Sequence, residues 1–154
     1  MPEVKPKDLR RKARMAALQS LFAEDVKGNH AEASLEWLAG EDLLHVETVK
    51  FALSLVRGVE DSRSDLDNVI QHYAPAWPVA QLSLVDRNIL RIALFELLNT
   101  PKVPRKTAVN EAVELAKVFG SDSSARFING VLGSVMNGLE QGGIAPGNPA
   151  PEGR

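Results

Sequence analysis

The sequence predicts an all-helical fold of about seven helices in two small bundles. Apolar residues recur at helical spacing along nearly the whole chain, and no segment alternates apolar and polar residues as a half-buried strand would. Glycines and prolines fall between these periodic segments, where they end helices. The length of 154 residues suits one domain of ordinary size, or two small bundles that share a core.

The N-terminal half contains the first predicted helices. One helix spans 9–27 and ends at Gly28, because glycine readily adopts the left-handed conformation that closes a helix. A shorter helix covers 31–39 and ends at Gly40. The pattern stays helical from 42 to 73, but Gly58 and the polar residues after it predict a break into two helices near the middle.

A connection at 74–80 follows, where two prolines flank Trp77 and interrupt the helical pattern. We interpret it as the boundary between two subdomains. A helix from about Ser83 to Leu98 comes next, and it is apolar nearly all round. Such a helix is typical of the centre of a bundle.

The last predicted helices are separated by clear stop signals. Pro104 is well placed to begin one helix, and Gly120 ends it. Ser121 or Asp122 is expected to cap the final helix. Residues 141–154 are rich in glycine and proline and predict a disordered tail, so the folded domain is expected to cover residues 1–140.

The composition excludes several classes of protein. With 44% hydrophobic and 25% charged residues, the chain has the balance of a globular protein. No apolar run approaches the roughly 18 residues of a transmembrane helix, and no apolar segment follows the N-terminal charges as in a secretory signal. The absence of cysteine excludes disulfides and thiolate metal sites, so we expect a cytoplasmic protein without contact to a membrane.

Charge is distributed unevenly along the chain. Residues 1–20 hold six basic and two acidic residues, a local charge of +4, whereas the whole chain carries −2. Lys7, Arg10, Arg11 and Arg14 recur at i, i+3, i+4 and i+7, so they share one face of the first helix, which we expect to face solvent. Such a face suits a polyanion, since arginine donates two hydrogen bonds to one phosphate. On charge alone, a solvated basic tail is an equally good interpretation.

A second candidate for nucleic-acid binding is the junction before the last helix, residues 119–127. The N-terminus of a helix presents N–H groups that attract anions, Arg126 adds a charge, and Phe119 could stack on a base. From the residues alone, an ordinary helix junction is the favoured alternative, with Asp122 capping the helix and Phe119 in the core.

No motif indicates catalysis or a bound cofactor. The sequence has no phosphate-binding loop, dinucleotide fingerprint or nucleophile elbow, and its three histidines lie far apart. Glu111 and Glu114 lie one turn apart and could form an acid–base pair. We favour a structural role, in which one of them pairs with Arg91 among the apolar residues of the central helix. We therefore expect no enzyme activity, no cofactor and no metal.

Several motifs together resemble a known family. They are RRKAR (10–14) with ALQSLF (17–22), ILRIALFEL (89–97), VNEAVELAK (109–117) followed by Phe119-Gly120, and FINGVL (127–132). In this order and spacing they resemble the NusB family of bacterial transcription antitermination factors, over nearly the whole chain apart from the tail. The resemblance implies seven helices in two bundles, in agreement with the periodicity.

The resemblance also implies a function in RNA binding. Members of the family bind the boxA element of nascent ribosomal RNA transcripts as a heterodimer with the ribosomal protein NusE. The pair joins other Nus factors on RNA polymerase and suppresses premature termination.

The RNA surface of the family includes the arginine-rich start, which carries over to Arg10, Arg11, Lys12 and Arg14. Lys7 is predicted to contact RNA only because it shares one face of the first helix with Arg10, Arg11 and Arg14. Phe22, where relatives more often have tyrosine, completes the set of RNA-binding residues predicted on this helix.

The family's RNA surface also includes the junction. The resemblance therefore favours RNA binding at this site over an ordinary helix junction. The residues carried over are Phe119, Gly120, Ser123 and Arg126. The position of Ser123 is often acidic in relatives, so a neutral residue there removes a repulsion against phosphate. The first helix would then form only half of the RNA site, and full affinity would need the partner protein.

Two alternatives remain to be weighed. The same helical module resembles the N-terminal region of certain ribosomal RNA cytosine methyltransferases, but these need a catalytic cysteine, which this chain lacks. The other alternative is a homodimeric protein-interaction module whose basic helix is masked by self-association. Light scattering with and without boxA RNA separates it from the RNA-binding function, since a dimer unaffected by RNA favours the alternative.

Overall fold

The computed structural model describes residues 5–147, and the regular elements within them are all helices, as the sequence predicted. There are six α-helices and one 3₁₀ helix in this part of the chain. Their bounds are α1 Pro6–Lys27, α2 Ala31–Glu41, α3 Val46–Tyr73, the 3₁₀ helix Val79–Gln81, α4 Leu84–Asn99, α5 Arg105–Phe119 and α6 Ser124–Gln141. None of these helices is both long and apolar enough to cross a lipid bilayer.

The predicted break at Gly58 is wrong, because α3 runs as one helix of 28 residues. A glycine in a helix interior costs about 1 kcal/mol relative to alanine. Packing offsets this cost, since Leu55, Val56 and Val59 around the glycine are fully buried. α2 likewise continues through Gly40. The described residues therefore contain six α-helices, where the sequence predicted about seven helices.

The chain divides into two compact units, and the division falls between Glu60 and Asp61, inside α3. The sequence placed the boundary at 74–80, where prolines interrupt the helical pattern. Proline marks the end of a helix, whereas the limits of a compact unit depend on which helices pack together. The connection that contains the prolines and the boundary between the compact units therefore lie at different places in the chain. We call the part up to Glu60 the N-terminal unit and the part from Asp61 the C-terminal unit.

In the N-terminal unit, α1 packs against α2. The buried residues of α1 include Ala13, Ala17, Leu18 and Leu21. Gly28 ends α1 in the left-handed conformation, with φ of 76°, as predicted. The hydroxyl of Thr48, on α3, donates to the carbonyl oxygen of Leu9 at 3.1 Å. This hydrogen bond ties the start of α1 to α3.

In the C-terminal unit, α4 packs against both α5 and α6, which confirms its place at the centre of a bundle. The helix begins after Ser83, whose Oγ accepts the N–H of Asp86 at 3.1 Å, as a capping residue does. Most of its length is buried, from Asn88 to Leu94 and again from Glu96 to Leu98. A helix with this burial needs partners on several sides, and α5 and α6 provide two of them.

Arg91 lies within this core, and α3 supplies its carboxylate. The Arg91 Nε and Nη2 groups donate to the two carboxylate oxygens of Asp67 at 2.8 and 2.9 Å. Its Nη1 donates to Asn88 Oδ1 at 3.2 Å. The sequence predicted the need for a carboxylate but proposed Glu111 or Glu114. Glu114 pairs with Lys117 at 3.3 Å instead. Which helix faces Arg91 is decided by tertiary packing, which periodicity does not reveal.

The residues after α6 fold back onto the C-terminal unit. Ile144 is 2% exposed, and the Gly147 N–H donates to the carbonyl oxygen of Leu98 at 2.7 Å. The sequence prediction began the disordered tail at 141, but Gln141 still belongs to α6 and the apolar Ile144 anchors the segment that follows. Residues 148–154 of the predicted tail lie outside the described residues.

Candidate nucleic-acid interface

The basic strip, defined as Lys7, Arg10, Arg11 and Arg14, lies in the first turns of α1. The helix begins at Pro6, earlier than the sequence predicted, and proline suits the first position because it lacks the N–H that would be unpaired there. Of these four cations only Lys7 lies in the first turn, where a positive charge opposes the helix dipole at a cost of about 0.3–1 kcal/mol. An anion bound near Lys7 would relieve this repulsion.

The four residues of the basic strip differ in exposure. Lys7 and Arg10 are exposed and Arg11 is half-buried, so a phosphate can reach all three. Arg14 is only 2% exposed, and its guanidinium carbon lies 5.4 Å from the centre of the Phe51 ring, on α3. The expectation that the whole strip faces solvent is thus wrong for Arg14. Its position one helical turn after Arg10 gave no sign that α3 covers it.

Lys12 and Phe22 add to the surface of α1. Lys12 is exposed but is rotated by about 100° around the helix axis from Arg11, so it belongs to a different face. Phe22 is 38% exposed and follows Arg11 by about three turns, which brings it back to the same face. A partly exposed aromatic ring can stack on a base. The structure therefore leaves both side chains accessible to RNA.

The junction, residues 119–127, is tightly packed around Gly120. A Cβ at this position would lie 2.5 Å from the Ser124 Cβ and 2.8 Å from the Ala116 carbonyl oxygen. The φ of Gly120 is −92°, which any residue adopts. Close packing, and not backbone conformation, therefore requires glycine here.

The buried side chain of Ser124 stabilises the turn of the junction. It is 1% exposed, and its Oγ accepts the Ser121 N–H at 2.9 Å. The hydroxyl of Ser121 lies 3.1 Å from the same oxygen. The sequence singled out Ser123 and missed Ser124, because a run of small polar residues does not reveal which serine turns inward.

The start of α6 carries the groups that can meet an anion. Ser123 is the N-cap residue, and no side chain caps the helix by a hydrogen bond. The prediction that Ser121 or Asp122 caps it is wrong, because α6 begins later, at Ser124. Ser123 and Arg126 are exposed. A helix terminus, a neutral hydroxyl and a guanidinium thus lie together, an arrangement that favours a phosphate.

The end of α5 adds apolar surface to the junction. Phe119 is half-buried, so part of its ring is accessible for stacking. Val118 beside it is 66% exposed, and the sequence analysis did not single it out. Its signal in the sequence is that it falls outside the apolar stripe of α5, which runs through Ala108, Ala112 and Leu115.

The carboxylates of the described residues do not gather in a metal-binding cluster, and neither do the histidines among those residues. Glu111 is 7% exposed on α5. Hydrogen bonding from Arg57, with Nε donating to Oε1 at 2.7 Å, lowers the pKa of Glu32 on α2. Glu32 belongs to neither the strip nor the junction, so its lowered pKa does not affect either candidate surface.

The basic strip belongs to the N-terminal unit, and the junction belongs to the C-terminal unit. The two surfaces offer an anion different groups. The strip uses side-chain charges that stand close together on one helix. The junction uses one arginine, a helix terminus and a tight turn.

The chain is similar to known proteins along most of its length. The NusB family profile matches residues 11–137. A transcription antitermination protein NusB from Dehalococcoides mccartyi (strain CBDB1) is 51% identical over 130 residues, which cover 84% of this chain and 91% of the relative.

Solved structures share the fold. A T. maritima NusB structure has a TM-score of 0.77 at 32% identity, covering 83% of this chain and 90% of that chain. A chain from a crystal structure of antitermination factors NusB and NusE in complex with double-stranded RNA also has a TM-score of 0.77. At 22% identity, covering 85% of this chain and 98% of that chain, it shows likeness of fold alone.

Proposed function

The chain belongs to the NusB family, and on this basis we propose that it is a transcription antitermination factor that binds boxA RNA of nascent ribosomal RNA transcripts. The observation that carries the proposal is the 51% identity over 130 residues to a transcription antitermination protein NusB. The family profile includes the junction and most of α1 within residues 11–137. The junction therefore lies wholly inside the part of the chain that the profile matches, whereas Lys7 and Arg10 of the basic strip precede it.

The protein works by binding, without catalysing a reaction. It forms a heterodimer with the ribosomal protein NusE and joins other Nus factors on RNA polymerase. A solved structure of the same fold contains antitermination factors NusB and NusE with double-stranded RNA, which supports this assignment of partners. The exposed cations neutralise phosphates and supply affinity, while stacking and contacts to base edges supply preference for one sequence.

The residues proposed to contact RNA are fewer than the sequence predicted. They are Lys7, Arg10, Arg11, Lys12, Phe22, Phe119, Gly120, Ser123 and Arg126. Arg14 is removed from direct contact because it is buried. Gly120 acts through its backbone, since its place in the turn leaves no room for a side chain.

A gel-shift experiment with the full chain tests the function. BoxA RNA and a scrambled RNA of equal length are compared, each with and without NusE. We expect boxA to bind more tightly than the scrambled RNA and NusE to increase the difference. Arg126→Ala weakens boxA binding, whereas Lys102→Ala, which removes an exposed cation from the turn before α5, serves as the matched control. Equal binding of both RNAs under all conditions refutes the boxA function.

Self-association is tested in the same samples. Light scattering measures the mass of the free protein and of the protein with boxA RNA. If RNA binding is the function, any homodimer present in the free protein gives way to a complex with RNA. A dimer whose mass and abundance do not change with RNA supports the masked interaction module instead.

A further inference from the structure

Two arginines of α1 lie against one aromatic ring of α3. The guanidinium carbons of Arg14 and Arg10 lie 5.4 Å and 6.0 Å from the centre of the Phe51 ring. At these distances the electron-rich face of a ring attracts a cation. Arg10 and Arg14 are four residues apart, so they are neighbours on the helix surface and their like charges repel. The attraction of both guanidinium groups to the Phe51 ring opposes this repulsion.

The three side chains differ in exposure. Arg14 is 2% exposed, Phe51 is half-buried and Arg10 is exposed. A phosphate can thus reach Arg10 but not Arg14. The guanidinium of the buried Arg14 lies next to the ring that Arg10 also approaches. The ring of Phe51 therefore lies against two different cations. Arg14 is buried in the packing of the N-terminal unit, and Arg10 is exposed and accessible to RNA.

The backbone of α1 is held at the same place. Thr48 and Phe51 lie three residues apart on α3, so they share a face of that helix. The Thr48 hydroxyl, which is buried, donates to the carbonyl oxygen of Leu9, immediately before Arg10. One turn of α3 thus fixes both the backbone and the guanidinium of the first exposed arginine.

We infer that Phe51 is a positioning residue for RNA binding, whose ring holds the Arg10 guanidinium in place before the RNA arrives. The inference rests on the proposed function. An arginine that is already ordered loses less conformational freedom when its fork binds a phosphate. Arginine-rich segments that are loose in the free protein pay for ordering when they bind, and their affinity is lower for it. Phe51 raises affinity for RNA without contacting it.

Three variants of the full chain separate this role from ordinary packing. Phe51→Leu removes the ring and keeps an apolar side chain, and we expect boxA RNA binding to weaken about three- to tenfold. Phe51→Tyr keeps the electron-rich face, so its affinity should stay within about twofold of the wild type. Phe95→Leu is the matched control, because Phe95 is also half-buried in a helix but belongs to α4. Its affinity should equal that of the wild type. The readout is fluorescence anisotropy with labelled boxA RNA.

A second measurement does not depend on RNA. In NMR spectra of the free protein, the ring of Phe51 should shift the side-chain proton resonances of Arg10 and Arg14. We expect Phe51→Leu to abolish this shift and Phe51→Tyr to retain it. In an Arg10→Ala background, Phe51→Leu should weaken RNA binding by less than about twofold further, because the side chain that the ring positions is already gone.

The possible outcomes discriminate between the two proposals. Wild-type affinity in Phe51→Leu, with boxA preference intact, overturns the positioning role and leaves the proposed function standing. Equal weakening in Phe51→Leu and Phe51→Tyr overturns it too, since it assigns Phe51 to packing alone. A wild-type chain that does not distinguish boxA from scrambled RNA removes the proposed function, and the positioning role with it.

Discussion

The basic strip and the junction are built on opposite principles. The strip concentrates positive side chains in the first turns of α1, where neighbouring like charges repel each other. The junction carries one exposed arginine and depends on a turn so close that a Cβ at Gly120 would lie 2.5 Å from Ser124. We therefore propose that the strip binds RNA mainly through charge and the junction mainly through shape. Substitutions should affect the two regions in different ways.

The largest effect is expected at Gly120. Gly120→Ala should lower the free energy of unfolding by about 1–3 kcal/mol, because the new methyl group overlaps Ser124 and the Ala116 carbonyl. Urea denaturation measures the change. Gly133→Ala is the matched control within α6, where nothing lies within 4 Å of the added Cβ, and it should raise stability by up to about 1 kcal/mol. Equal effects of the two substitutions would show that the junction is not tightly packed.

The next contrast lies within the strip. Arg14→Ala should lower the free energy of unfolding by about 2 kcal/mol, because it removes a buried stem and its contact with Phe51. Arg10→Ala should change stability by less than about 0.5 kcal/mol, because Arg10 is exposed. Thermal or urea unfolding of both variants provides the comparison. Similar stability losses would contradict the difference in burial between the two arginines.

Arg10 should matter much more for RNA affinity than for stability. We expect Arg10→Ala to weaken boxA binding about tenfold, through the loss of a charge-assisted hydrogen bond to phosphate. Isothermal titration calorimetry of the folded variant measures this loss. Arg10→Lys keeps the charge but not the planar fork, so it should recover only part of the affinity. Full affinity in Arg10→Ala would exclude Arg10 from the RNA surface.

The smallest effect is expected at Ser123. Ser123→Asp and Ser123→Asn should each change stability by less than about 0.5 kcal/mol, because Ser, Asp and Asn are similarly good residues at the N-cap position that Ser123 occupies. Only the aspartate repels a phosphate, and it should weaken boxA binding by about threefold while the asparagine leaves it unchanged. Melting temperature and anisotropy measured on the same samples test both parts. Identical RNA affinities for the two variants would place Ser123 away from phosphate.

The features that were predictable from the sequence are those set by local signals. Periodicity and stop residues predicted α1, α2, α4, α5 and α6 and the helical character of the α3 region, including the left-handed end at Gly28 and the cap at Ser83. The positive charges of the strip were also apparent, because their spacing alone places them on one face. Local signals suffice for such features because they depend on neighbours within a turn or two.

The features that were missed depend on residues far apart in the chain. Arg14 is buried and lies against Phe51 on α3, and Arg91 pairs with Asp67, a partner on α3 that the sequence prediction did not name. Gly58 stays inside a continuous helix because the residues around it are buried. In each case tertiary packing overrides a local preference, and a single sequence does not record which elements meet.

The salt dependence of boxA binding tests most directly whether both regions contact phosphates. With about four phosphates neutralised, log K for single-stranded RNA should fall with log salt at a slope of about −3. Arg10→Ala and Arg126→Ala should each make the slope less steep by about 0.7, since each removes one phosphate contact. Arg14→Ala should leave the slope of the folded protein unchanged. A wild-type affinity independent of salt, or a slope that neither Arg10→Ala nor Arg126→Ala alters, would contradict the account.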